Sequence, residues 1–108
     1  MARLRRKQVY KITYPNGKIY VGMDLTGTAL YMGSPSAYEQ IVADLELKPG
    51  QFELTLGKEI LWESETATDA KVRKKEIEKI LETRANDPAI GYNKLPRYRP
   101  NPLGSAGE

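Results

Sequence analysis

Apolar and polar positions alternate along residues 8–14 (QVYKITY) and again along 18–23 (KIYVGM), and the apolar members are mainly Tyr, Ile and Val. Period-two alternation in β-branched and aromatic residues predicts two short strands. Pro15-Asn16-Gly17 lies between them, which makes the pair a hairpin. A two-residue Asn16-Gly17 loop would pair Tyr14 with Ile19 and set Tyr10 and Tyr20 on opposite faces. A three-residue loop pairs Tyr14 with Lys18 and puts Tyr10, Ile12, Tyr14, Lys18, Tyr20 and Gly22 on one face. Proline suits the first turning position and glycine the left-handed position that ends the loop, so the three-residue form is expected.

The pattern then changes period. Residues 24–33 read as a loop. Tyr38, Ile41, Val42 and Leu45 form a helical stripe over about 36–47, with Ser34 or Ser36 as cap and Lys48-Pro49-Gly50 as its stop. Residues 51–62 alternate again. Phe52, Leu54 and Leu56, then Ile60 and Trp62, share a face of a third strand, with Gly57 as a bulge or bend. Thr66 and Asp69 resemble a capping box ahead of a helix from about 67 to 83. Asp87-Pro88 breaks it, and Gly91-Tyr92-Asn93 follows as a short ordered segment. From Pro96 the chain is rich in Pro, Gly, Ser and Arg and reads as a flexible tail. The expected fold is α+β: a small three-stranded sheet, led by the antiparallel hairpin and flanked by two helices. The organisation is a basic arm at 1–7, one domain at 8–95 and a Pro-rich tail at 96–108.

Composition narrows the chemistry. The chain has 108 residues with neither cysteine nor histidine. Disulfides, zinc–thiolate sites, imidazole ligands and the commonest general base near neutral pH are therefore excluded. Any catalysis rests on carboxylates, tyrosines, lysines, arginines or hydroxyls. No stretch approaches the roughly 20 apolar residues that span a bilayer, so the expectation is a cytoplasmic chain with no membrane partner.

Charge is unevenly spread. Residues 1–20 carry +6, residues 21–66 carry −6 and residues 67–108 carry +3. Basic ends around an acidic middle suit a polyanion lying along one edge. Arg3, Arg5, Arg6 and Lys7 on the arm, Lys18 in the hairpin, and Arg97 and Arg99 in the tail are the candidate phosphate contacts.

The second helix carries the sharpest local signal. Val72, Ile77 and Ile80 define its apolar arc, and Arg73 and Glu76 point into the same arc. A carboxylate facing the body of a protein needs a partner. Either Glu76 pairs with Arg73 one turn away, as a structural bridge, or it belongs to a site. The chain also holds seven tyrosines against one Phe and one Trp. Semi-buried packing accounts for many tyrosines. Tyr10 and Tyr20 on one hairpin face, however, place two phenols together, and a phenol near positive charge can serve as a general base.

These residues match a family pattern. Gln8-Val9-Tyr10 and Tyr20-Val21-Gly22 resemble the two tripeptides that define the GIY-YIG nucleases, and VYKITYPNGKIYVG resembles their opening hairpin. Tyr31-Met32-Gly33-Ser34 and Lys58-Glu59-Ile60-Leu61 are similar to elements of the phage and homing-type branch. Glu76 falls where the family places its metal-binding glutamate, and Gly91-Tyr92-Asn93 matches the closing element. The resemblance covers residues 8–93. It implies a metal-dependent endonuclease acting on DNA. Glu76 would bind one divalent cation, Mg2+ or Mn2+. Tyr20 or Tyr10 would orient or deprotonate the attacking water, with Tyr20 favoured, and Asn93 would support the site. Lys18, two residues from Tyr20 on the same predicted face, could lower its pKa. Tyr10, Tyr20, Arg73, Glu76 and Asn93 should then meet in one shallow cleft.

One departure stands out. The family carries an arginine on its first helix, where this chain has Glu39 or Gln40, and no arginine occurs between Arg6 and Arg73. Loss of a preorganised cation at a phosphoryl centre costs roughly 10²–10³ in rate. Three alternatives follow: Arg73 substitutes by position, Lys48 or Lys58 reaches in, or the chain is an inactive relative that binds nucleic acid without cutting it. A third class of function, a structural or partner-binding α+β domain, predicts that Tyr10, Tyr20 and Glu76 do not cluster. Sequence-specific members of the family usually add a separate DNA-binding domain, so such a domain or protein is a further candidate partner.

Overall fold

A computed structural model describes residues 6–27, 37–46 and 54–99. The hairpin takes the three-residue loop. Tyr14 N donates to Lys18 O at 2.9 Å and Gly17 N donates to Tyr14 O at 2.8 Å, with Pro15 and Asn16 at the centre of the turn. Gly17 sits at φ +88°, a left-handed conformation that a residue without Cβ adopts at little cost. Strand β1 (Lys7–Thr13) therefore pairs with β2 (Ile19–Asp24) so that Ile12 faces Tyr20 and Tyr10 faces Gly22.

Helix α1 (Tyr38–Asp44), strand β3 (Gly57–Ser64) and helix α2 (Asp69–Thr83) complete the elements. The sheet is antiparallel in the order β2-β1-β3, so β1 is central and β2 is an edge. Alternation along β1 feeds both faces. Tyr10, Ile12 and Tyr14 pack on one side with Ala37, Ile41 of α1 and Tyr92. Val9 packs on the other with Val21, Val72 and Ile80 of α2, and Ala85. The strand is buried on both faces at Val9 and Tyr10, while the alternation of QVYKITY continues beyond them, with Ile12 buried and Thr13 exposed. Each fully buried Val or Ile here contributes about 1.5–3 kcal/mol.

Several boundaries differ from the sequence expectation. The third strand begins at Gly57, with 54–56 outside it, and Phe52 lies outside the described residues. Gly57 pairs regularly with Thr13, and the bulge lies four residues on. Tyr10 pairs with Ile60 while Val9 pairs with Trp62, leaving Leu61 as the extra residue. An inserted residue resets the side-chain alternation. Ile60 and Trp62 consequently fall on opposite faces, and Leu61 and Trp62 both join the α2 side.

The cap of α2 is Thr68, whose Oγ1 accepts from Lys71 N at 3.2 Å. Thr66 is not the cap, because Ser64 Oγ already accepts from Thr66 N and Ala67 N and turns the chain there. Tyr38, expected on the buried stripe of α1, is 66% exposed. Ser34 and Ser36, the expected caps of α1, lie outside the described residues, as do Arg3, Arg5, Lys48 and the Tyr31–Ser34 element. Ala37 precedes α1 without a side-chain cap. Among the described residues, no helix is long and apolar enough to cross a membrane.

Candidate active site

The site forms at the outer edge of β2, where side chains from both faces of the sheet can meet. Residues after α2 are drawn onto that edge. Arg84 turns the chain at φ +62° and Ala85 N donates to Ile80 O at 3.0 Å, a left-handed helix end. Gly91-Tyr92-Asn93 then docks on β2. Ile19 N donates to Ile90 O at 3.1 Å and Tyr92 N donates to Ile19 O at 2.8 Å, a parallel bridge. The next pair in this ladder is made by a side chain. Val21 N donates to Asn93 Oδ1 at 2.8 Å and Asn93 Nδ2 donates to Val21 O at 2.7 Å. The carboxamide thus stands in for one residue of an added strand and leaves this stretch of edge paired.

Each residue of the docked segment has a separate reason to be what it is. A Cβ on Gly91 would collide with Ala85 O and Ala85 Cα and come within 2.7 Å of Ile19 O, so only glycine lets the backbone approach this closely. Tyr92 Oη donates to Asp44 Oδ2 at 2.8 Å and accepts from Asn16 Nδ2 at 2.9 Å, tying α1 to the hairpin. Its ring meets Tyr14 edge-on at 5.4 Å. The hydrogen bonds from Tyr92 and Gln40 hold the Asp44 carboxyl below its ordinary range, and burial raises the Tyr92 phenol.

Gly22 makes room for the two phenols. A Cβ there would stand 2.5 Å from Tyr10 Oη and 2.9 Å from Tyr20 Cε2. The two tyrosines therefore converge over the glycine. They are not equivalent: Tyr10 is 1% exposed beneath this point, while Tyr20 is half-buried and opens outward. Lys58 on β3 places its Nζ 4.8 Å from the centre of the Tyr10 ring.

Tyr20, Arg73, Glu76, Asn93 and Lys94 line one cavity of about 680 Å³, walled by Ile77, Ile80, Leu95 and Pro96. Four of the five residues singled out in the sequence meet here, and Tyr10 lies under Gly22 rather than in the wall. Ile77, expected in the buried arc of α2, is 41% exposed at the rim. Glu76 is half-buried, and among the described residues it makes no hydrogen bond or ion pair. The Arg73–Glu76 bridge is not formed, although Arg73 lies close enough for its charge to act on Glu76. Burial raises the Glu76 carboxyl above its ordinary range, and the Arg73 charge opposes that shift.

The candidate phosphate contacts divide. Arg6 pairs with Glu63 and Glu65 at 3.6 and 3.5 Å, and Lys7 with Asp69 at 2.8 Å. The Lys18 ammonium lies 3.6 Å from Asp44 Oδ2 and 5.4 Å from the centre of the Tyr92 ring, which commits it to that side of the hairpin. Arg97 and Arg99 are exposed and, among the described residues, without ion pairs. Asn86 Nδ2 donates to Pro96 O at 2.8 Å, so the chain remains anchored past residue 95.

The first-helix position expected to hold an arginine lies away from the cavity. Gln40 Nε2 donates to Asp44 Oδ1 at 2.7 Å on α1, across the sheet from α2. Sequence reasoning missed Tyr92 and Asp44 as the tether between α1 and the hairpin. Asn16 was legible only as a turn residue, and nothing local marks its partner 76 residues on. Compared with family models, curated proteins and solved structures, the chain matches none.

Proposed function

We propose that this protein is a metal-dependent endonuclease that hydrolyses phosphodiester bonds in DNA, as the resemblance of its hairpin, Glu76 and Gly91-Tyr92-Asn93 to the GIY-YIG pattern implies. The observation that carries this reading is Glu76. A half-buried carboxylate facing a cavity with no hydrogen bond or salt bridge is costly for the fold, and a cationic ligand would offset that cost. The donor chemistry fits Mg2+ or Mn2+, hard cations that can be held by one carboxylate with water and phosphate oxygens supplying the rest. When bound, such a cation supplies charge neutralisation at the phosphate and leaving oxygen.

The side chains divide the remaining work. Tyr20 presents the phenol that lines the cavity, and its oxygen orients the attacking water by accepting a proton or a hydrogen bond from it. Tyr10, buried under Gly22, positions Tyr20. Arg73 offsets phosphate charge from α2, the place from which a cation missing on α1 can be replaced. Asn93 works through the backbone: it fixes β2 at Val21, one residue from both Tyr20 and Gly22. As water adds to phosphorus, the bond to the leaving oxygen breaks and that oxygen takes up a proton.

The test is a time course on supercoiled plasmid with Mg2+, Mn2+ or chelator, with Glu76→Ala and Arg73→Ala alongside. Metal-dependent nicking that disappears in Glu76→Ala, and falls roughly 10²–10³-fold in Arg73→Ala, is the expected result. Nicking unaffected by Glu76→Ala would sink the proposal. A second reading, a nucleic-acid-binding module without catalysis, is favoured by one observation: Gln40 on α1 is engaged with Asp44 and lies outside the cavity. It predicts salt-sensitive binding with no cleavage under any metal.

A further inference from the structure

We infer that a second groove, sharing Asn93 and Lys94 with the first, holds single-stranded DNA adjoining the scissile phosphate. The inference rests on reading the first cavity as a phosphodiester site, since that placement makes the groove the path of one strand. The groove has a volume of about 560 Å³, and Gln40, Lys94, Arg97 and Tyr98 are among the residues that line it. No carboxylate is among the described lining residues. Lys18 reaches the same groove, but its charge is met by Asp44. Lys94 and Arg97 have no ion pair among the described residues, so they leave the groove positive.

Cations alone would suit any phosphate backbone, and the aromatic residue decides between strand forms. Tyr98 is 37% exposed and stands between Arg97 and Arg99 in the chain. A phenol ring in a positive groove is a stacking platform, and stacking requires a free base face. Paired bases keep their faces inside the duplex, so the strand that fits is unpaired. Asn93 and Lys94, which line both cavities, then lie between the reacting phosphate on one side and the stacked nucleotide on the other. Substrates with a single-stranded segment beside the cut, such as flaps or branches, follow as the preferred class.

The experiment is fluorescence anisotropy in chelator with a labelled single-stranded oligonucleotide and the same strand annealed to its complement. Wild type, Tyr98→Ala, Tyr98→Phe and Arg97→Ala are compared. The single strand should bind more tightly than the duplex. Tyr98→Ala should weaken single-strand binding about 5- to 100-fold, and Tyr98→Phe should retain it. Arg97→Ala should reduce the slope of log affinity against log salt by about 0.7. Equal affinity for both forms, or single-strand binding indifferent to Tyr98→Ala, overturns the inference. Turnover is absent in chelator, so the two readings separate. Plasmid cleavage together with Tyr98-independent binding removes the stacking groove alone. Tyr98-dependent binding without cleavage under any metal keeps the groove and removes the nuclease.

Discussion

Glu76 is a residue whose chemistry and folding cost pull in opposite directions. Its carboxyl is raised by burial, so in the absence of a cation it stabilises the fold only when protonated. A raised folded pKa means that stability is greatest below the unfolded value and falls as pH rises through the folded one. At neutral pH the charged form is therefore a net cost. Glu76→Gln should raise the metal-free melting midpoint, by no more than about 5 °C, while abolishing cleavage. Calorimetry in chelator beside a nicking assay measures both, and a lower midpoint would mean that Glu76 is a structural residue. Gly22 gives a prediction of the opposite kind. Its missing Cβ is the space that Tyr10 Oη and Tyr20 occupy. Gly22→Ala should destabilise by about 1–3 kcal/mol, and Tyr10→Phe in the same chain should recover part of that loss by removing the nearest atom. A denaturant titration of the single and double variants tests the pairing of these residues directly.

Elements depend on contacts that local sequence cannot carry. The hairpin was legible because Pro15-Asn16-Gly17 encodes its own loop, and the loop alone settles which side Tyr10 and Tyr20 share. The bulge at Leu61 was not, because it is set by how β3 packs on β1 and α2. The start of α2 was misplaced by two residues because two threonines competed and Ser64, further back, decided between them. Asn93 could be named from its motif, but its pairing with Val21 spans 72 residues and has no local trace. That pairing is testable at the level of the edge strand. Asn93→Ala leaves the Val21 N–H and C=O without partners and should cost about 1–3 kcal/mol, with faster exchange of the Val21 amide hydrogen. The tether of α1 has its own signature. The Asp44 carboxyl lies below its ordinary range, first because Tyr92 donates to it and next because Gln40 does. A lowered folded pKa supplies stability above the unfolded value and loses it as pH falls through the folded one. Glu76 contributes the reverse slope over neighbouring pH, so the two must be separated by difference. Wild type minus Tyr92→Phe, followed by denaturation from neutral to acid pH, should narrow as the solution acidifies; a constant gap would mean that the hydrogen bond is not coupled to Asp44 ionisation.

At the scale of the whole molecule, the question is which positive charges remain available to a polyanion. Read along the chain, the basic first twenty residues look like the main contact and the acidic middle like a separate region. Folding brings them together: β3 lies beside β1, so Glu63 and Glu65 meet Arg6 and Glu59 meets Lys11 at 3.1 Å, while Asp69 at the start of α2 meets Lys7. These are exposed pairs, worth little to stability, but they cancel much of the field that the arm would otherwise project. Among the described residues, cations without an ion pair lie elsewhere, those of the two cavities among them. Arg73 and Lys94 line the cavity with Glu76, and Arg97 lines the adjoining groove. Each cation that meets a duplex phosphate releases condensed counterions, which steepens the slope of log affinity against log salt by about 0.9. Arg73→Ala and Lys94→Ala should therefore each flatten that slope for DNA binding by about 0.9, while Arg6→Ala and Lys7→Ala leave it nearly unchanged. The reverse pattern would move the DNA to the Arg6 and Lys7 end of the sheet and away from Glu76. It would also break the link between the cavity and its substrate, since phosphate contacts fix where a strand lies even when they read no sequence.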